Sequence, residues 1–257
     1  MISIQIYPTT PELLEHLAPA TLELANSAVE QYGLFVMALA GGSTPEKFYR
    51  LLSDRGWKKR FPWKKTLFFW GDERAVGPAH KESNYHMAME SLLSRAPVPK
   101  DHIIRMRGEA AELNHAAEEY EASVRSALES RRLKFDLILL GMGDDGHTAS
   151  LFPGSPAETE RERLVVAHSP GDSAAGRLTF TFPLINLARS VFLLVTGEHK
   201  AGIVKRVFTG TGDYPVRRVM PVDGQLTWWM DRAAAADISK TAMDGYVGRY
   251  QAAVSKV

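Results

Sequence analysis

Short apolar runs alternate with longer amphipathic ones along the 257 residues of the chain. Ile2 to Tyr7 reads as a strand. Thr9 or Thr10 then caps a helix with Pro11 at its first position, expected to run to about Gln31 with an interruption at Pro19. Leu34 to Ala40 (LFVMALA) is continuously apolar, as in a parallel strand buried on both faces. Helical patterns cover Pro45 to Leu52, Asn84 to Leu93, Leu113 to Arg131 and His199 to Phe208, the third with a solvated outer face. Strands are expected at Thr66 to Trp70 and Phe135 to Leu140, and again at Arg163 to Ala167, Arg177 to Thr181 and Val191 to Val195. Strands that alternate with helices imply crossover connections. The expected class is therefore α/β, a Rossmann-like, mostly parallel sheet with helices on both faces. Residues 153–176, rich in Pro, Gly and Ser, read as a long loop and not a boundary, so residues 1–257 are expected to form a single α/β domain. Trp228 and Trp229 read as core or edge packing, or as a subunit contact.

Composition narrows the partners. Lys plus Arg number 31 against 30 Asp plus Glu, a net charge of +1, which gives no general pull toward nucleic acid or an anionic membrane. There are no cysteines, hence no disulfides and no thiolate chemistry. No apolar run approaches the roughly 18 residues of a membrane-spanning helix. The start, MISIQIYPTT, lacks the basic-then-apolar layout of a signal peptide. A cytoplasmic protein with a small-molecule partner is expected, and the sequence leaves its oligomeric state open.

In open parallel sheets, ligands bind beyond the carboxyl ends of the strands, so the residues after each strand carry the candidate chemistry. After LFVMALA comes GGSTPEKFY. Gly41 and Gly42 permit a tight turn, and Ser43 or Thr44 can cap the next helix with Pro45 as its first residue. Such a helix start suits a phosphate; it is equally a well-made turn. After TLFFW comes GDERAVG, where Arg74 can clamp a phosphate with its planar fork or simply belong to a solvated loop of mutually paired charges. After VFLLV comes TGEHKA, in which Lys200 reads as a point charge for a phosphate or as a surface lysine. Arg177 lies near a strand start. Together these groups are expected to converge on a small phosphorylated ligand.

The segment GMGDDGHTASLFPG, Gly141 to Gly154, has two readings. As G-x-G-x-x-G it can be a dinucleotide turn, but Pro153 limits any helix to about two turns and Asp144 and Asp145 stand where a pyrophosphate needs donors. Alternatively the glycines shape a loop that presents His147. Histidine ordinarily titrates near neutrality, and Asp145, two residues before, can fix its tautomer or brace the loop. G-x-S-x-G, H-E-x-x-H and the Walker A pattern are all absent. A histidine that activates water is the economical chemistry.

AGGSTP (40–45), GDER (71–74), NY (84–85), GMGDDGHTASLFPG (141–154), RLTFTFPLIN (177–186), TGEHKA (196–201) and DGQLTWWMD (223–231) together resemble the ordered signature of 6-phosphogluconolactonases. Ala40 departs from it, since a serine is expected there, but the backbone donors of the loop remain. The resemblance implies hydrolysis of 6-phospho-D-glucono-1,5-lactone to 6-phosphogluconate in the oxidative pentose phosphate pathway, with no cofactor and no metal. It implies a fold shared with aminosugar-phosphate isomerases. By motif position it assigns His147 as general base and Asp145 as supporting acid, and it makes Gly42, Ser43, Thr44, Arg74, Arg177 and Lys200 contacts to phosphate and sugar. Two rivals remain. Glucosamine-6-phosphate deaminases resemble the family in fold and in the D-G-H loop, but carry a glutamate five residues after the histidine, where this chain has Phe152. A non-catalytic sugar-phosphate sensor would keep the anion contacts without needing His147 and Asp145.

Overall fold

Residue parity along the central strands decides which side chain enters which layer. The structure, a computed structural model, describes residues 1–169 and 175–255. Its strands are β1 (Ile2–Tyr7), β2 (Phe35–Leu39), β3 (Thr66–Trp70), β4 (Asp72–Arg74), β5 (Leu137–Leu140), β6 (Val165–His168), β7 (Arg177–Phe180), β8 (Ser190–Val195) and β9 (Gln225–Asp231). Six of them form one sheet in the order β1-β9-β8-β5-β2-β3, and every neighbouring pair is parallel.

Successive side chains of a strand point to opposite faces, and the two cores sort accordingly. Phe35, Met37 and Leu39 of β2, with Leu137 and Leu139 of β5, join one core. There they meet the helices Thr10–Tyr32 and Ser43–Ser53 through Leu13, Leu17, Phe48 and Tyr49. Val36, Ala38, Ile138 and Leu140 join the other core. That layer is closed by the helices Leu113–Leu128, Ala201–Thr209 and Lys240–Val254. The fold is thus the expected α/β sheet with helices on both faces. Burying each of these large apolar side chains contributes roughly 1.5–3 kcal/mol. Among the described residues, no helix is long and apolar enough to cross a membrane.

Four local features differ from the sequence reading. The first helix is continuous through Pro19. Proline removes the hydrogen bond to the carbonyl four residues back, but Pro19 and Glu15 both lie on the exposed face, where water can satisfy that carbonyl. The second difference is β9 itself, an unforeseen strand paired between β1 and β8; its Trp228 and Trp229 are 0% and 5% exposed, which decides for the core among the readings they allowed. They are core residues, one on each side of the sheet. Third, Asp72 to Arg74 form a short strand in a second, antiparallel sheet of order β4-β7-β6. Fourth, the stretch 153–176 is not one long loop, since it contains a helical turn, Pro156–Thr159, and β6; its residues 170–174 lie outside the described ones.

Candidate active site

From β2 the sheet grows one way to β3, and from β5 it grows the other way through β8 and β9. The chain therefore diverges between β2 and β5, and the crevice beyond their carboxyl ends is the expected ligand position. A cleft of ≈ 430 Å³ opens there, and Gly42, Ser43, Thr44, Arg74, His147, Arg177 and Lys200 all line it. That volume suits a small molecule, for which clefts of about 300–1,000 Å³ are usual. Five separate segments of the chain supply these residues.

The turn after β2 is built differently from the expected cap. Gly42, not Ser43 or Thr44, occupies the cap position, with φ 102° and ψ 164°. Glycine takes that left-handed region without strain, whereas serine would not. Ser43 and Thr44 are instead the first two helical residues, and no side chain caps the turn. The Thr44 hydroxyl is engaged by Thr196 at 2.7 Å, just past β8. This uncapped helix start lines the cleft, a position suited to an anion.

Arg74 and Arg177 are direct partners across the β4–β7 pair. Among the described residues neither forms an ion pair with a carboxylate; Arg74 donates to the Glu82 carbonyl, and Arg177 to the carbonyls of Ala175 and Gly176. Burial, and then the neighbouring Arg74 charge, hold the Arg177 guanidinium below its usual range. Asp72, Glu82 and Glu73 act on Arg177 at longer range, but two adjacent guanidiniums with no ion-pair partner among the described residues still suit an anionic ligand.

Opposite them stands the loop after β5. His147 Nδ1 lies 2.6 Å from Asp145 Oδ1, which also accepts the His147 backbone N–H at 3.1 Å. Burial pushes the Asp145 carboxyl up, but the hydrogen bonds from the His147 backbone and ring outweigh it and hold the group below the usual carboxylate range. An ionised Asp145 fixes the proton on Nδ1 and leaves Nε2 as an acceptor. Gly143 makes room for this pair: a Cβ there would stand 2.1 Å from His147 Nδ1 and 2.7 Å from Asp145 Oδ1. Gly143→Ala is therefore expected to turn the imidazole and lower kcat by about 10²-fold, the scale of an ångström of misplacement at a reacting centre. Steady-state kinetics beside a thermal melt would check this, since the melt should barely move.

Sequence reasoning missed the residues that tie these segments together. Asp72 lines the cleft, accepts from the Ser150 hydroxyl at 2.7 Å, and holds the Asn84 amide at 2.9 Å through its carbonyl. Asn84 in turn lies directly on Gly41, where a Cβ would come within 1.9 Å of it. Glu73 accepts the backbone N–H groups of Asn84 and Tyr85, each at 2.8 Å, and so caps their helix from another element. Burial nevertheless pushes the Glu73 carboxyl up. The charges of Asp72, Glu73 and Arg74 are thus not spent on pairing with one another. GDER and NY signalled that these positions matter, but not which of them touch.

The chain matches the family model described as glucosamine-6-phosphate isomerases/6-phosphogluconolactonase over residues 8–228. The chain belongs to this family. It is 36% identical to a 6-phosphogluconolactonase of Nostoc, over 92% of this chain and 98% of that one. Among solved structures, the family's 6-phosphogluconolactonase from Trypanosoma brucei superposes with a TM-score of 0.79 at 28% identity, covering 93% of this chain and 99% of that one. A monomeric glucosamine-6-phosphate deaminase superposes with a TM-score of 0.78 at 20% identity, covering 92% and 100%. That last likeness is one of fold alone. The family holds two chemistries on one scaffold, so the choice between them rests on the side chains of the cleft.

Proposed function

We propose that the chain is a 6-phosphogluconolactonase, hydrolysing 6-phospho-D-glucono-1,5-lactone to 6-phosphogluconate, the lactone-opening step of the oxidative pentose phosphate pathway. The observation that carries this reading is the His147–Asp145 pair, whose imidazole lines the same cleft as Arg74, Arg177 and Lys200. The relatives named for this activity support the same substrate.

The substrate phosphate is held by the open N–H groups of the Ser43–Thr44 turn and by the cationic side chains, which fixes the lactone carbonyl near His147. His147 Nε2 takes a proton from water as the water oxygen bonds to the carbonyl carbon. Charge that develops on the carbonyl oxygen is met by cationic or backbone donors of the cleft. As the intermediate collapses, the bond from carbon to the ring oxygen breaks and the Nε2 proton passes to that oxygen. The product is an open-chain acid that ionises at neutral pH. Asp145, bonded to Nδ1, keeps the ring in the tautomer this sequence needs.

A deaminase would need a carboxylate where this chain has Phe152, whose ring instead packs 4.3 Å from that of His147. Among the described residues, Asp145 is the only acid bonded to the His147 side chain. Acid release from freshly generated 6-phosphogluconolactone, with the spontaneous rate subtracted, should exceed release from unphosphorylated gluconolactone. No ammonia should form from glucosamine 6-phosphate. Ammonia without lactone turnover would hand the site to the deaminase reading, and phosphosugar binding without either reaction to the sensor.

A further inference from the structure

Lys200 is not a free cation in the cleft. Its Nζ lies 2.5 Å from Asp144 Oδ1, in the same loop that carries Asp145 and His147. The lysine side chain is 15% exposed and the aspartate 74%. Asp144 is held low first by its hydrogen bond with Lys200, so it is ionised at neutral pH. Arg74 and Arg177 differ, having no such partner among the described residues. Among the described residues, Lys200 thus has an ion-pair partner across the cleft, and Arg74 and Arg177 feel carboxylates only at longer range. Two carboxylates stand side by side in the loop, and they do different things: Asp145 turns to the imidazole, Asp144 reaches across to the anion-binding side.

We infer that Asp144 is an internal competitor for the ligand phosphate: it occupies Lys200 while the cleft is empty, is displaced by an arriving dianion, and takes the lysine back as the product leaves. This rests on the reading of Lys200 as a phosphate contact. A phosphate brings two charges and several acceptor oxygens against one exposed carboxylate, so it wins the exchange. A neutral sugar cannot displace Asp144 and gains nothing from Lys200. The carboxylate thus lowers affinity for every phosphorylated ligand, product included, and limits product inhibition. Because the pair is largely exposed on the acid's side, its influence is modest, about two- to five-fold in affinity.

The test is calorimetric binding of inorganic phosphate and of 6-phosphogluconate, which does not depend on turnover. Asp144→Asn should tighten both by about two- to five-fold, the scale of an exposed ion pair, and Asp144→Glu should restore the weaker binding. Lys200→Met alone should weaken both ligands, and in that background Asp144→Asn should add nothing. If Lys200→Met leaves binding unchanged, Lys200 is no phosphate contact, and the site reading fails there. If Lys200→Met weakens binding but Asp144→Asn tightens nothing, the competitor is refuted and the phosphate contact stands. If Asp144→Asn tightens equally with and without Lys200, the carboxylate acts through the general field of the cleft, and the exchange proposed here is also refuted. Circular dichroism of each variant secures the comparison, and exposed Asp144 gives no reason for misfolding.

Discussion

His147→Ala is expected to lower kcat for lactone hydrolysis by about 10²–10⁴-fold, the usual contribution of a positioned general base. KM should change little, because the proposed anion contacts come from other segments: the turn after β2, the β4–β7 pair and the residues after β8. The fold should survive, since the imidazole is 29% exposed and its side-chain contacts are chiefly Asp145 and the Phe152 ring. The lactone also opens unaided, so the spontaneous rate sets the floor of the measurement. Stopped-flow acid release, wild type against variant at equal folded concentration, decides the matter. A variant that turns over as fast as wild type would remove His147 as the base and leave the lactonase without an assigned one.

The largest effect on stability is expected at the other end of the sheet. Asp136, 3% exposed, precedes β5 and accepts the Val36 backbone N–H at 2.8 Å at the start of β2. Arg131, 6% exposed, donates to the same carboxylate, and Arg189 lies 3.4 Å from its second oxygen. Both guanidiniums stack on the Tyr32 ring, at 4.6 and 4.4 Å. Burial pushes the Asp136 carboxyl up despite these donors, so the cluster need not be a net gain over an apolar core. Removing only the acid is another matter, because it leaves Arg131 buried without a counter-charge and the Val36 N–H without an acceptor. Asp136→Ala should therefore cost about 3–5 kcal/mol, the range for breaking a buried pair by one partner. Urea unfolding should show a lower midpoint with an unchanged slope. The kcat of the folded fraction should stay at the wild-type value, because this cluster sits at the amino ends of the strands and the cleft at their carboxyl ends. A variant as stable as wild type would mean that solvent reaches the two arginines.

The sequence by itself determined the class and most of the elements. Continuous apolar runs such as LFVMALA and TLFFW specify buried strands, because period and composition are local properties that need no partner. The candidate residues of the cleft were also legible: a glycine turn before a helix, an arginine after a strand, and a histidine two residues from an aspartate are each local patterns, and the fold brings them to one cleft.

What the tertiary structure decided is everything that depends on a distant neighbour. Strand order is one example, since QLTWWMD becomes an inner strand only because β1 and β8 both pair with it. Another is the start of the second helix, where the Thr44 hydroxyl pairs with that of Thr196, 152 residues away, and Gly42 takes the cap position. The clearest is the division of labour among carboxylates. Asp72 meets Ser150 across 78 residues, Asp144 meets Lys200 across 56, and Asp145 keeps to His147. A hydroxyl or a carboxylate bonds whatever donor folding brings within about 3 Å of it. Hydrophobic periodicity fixes which residues are buried and on which face, but polar partnership is set by the three-dimensional path of the chain.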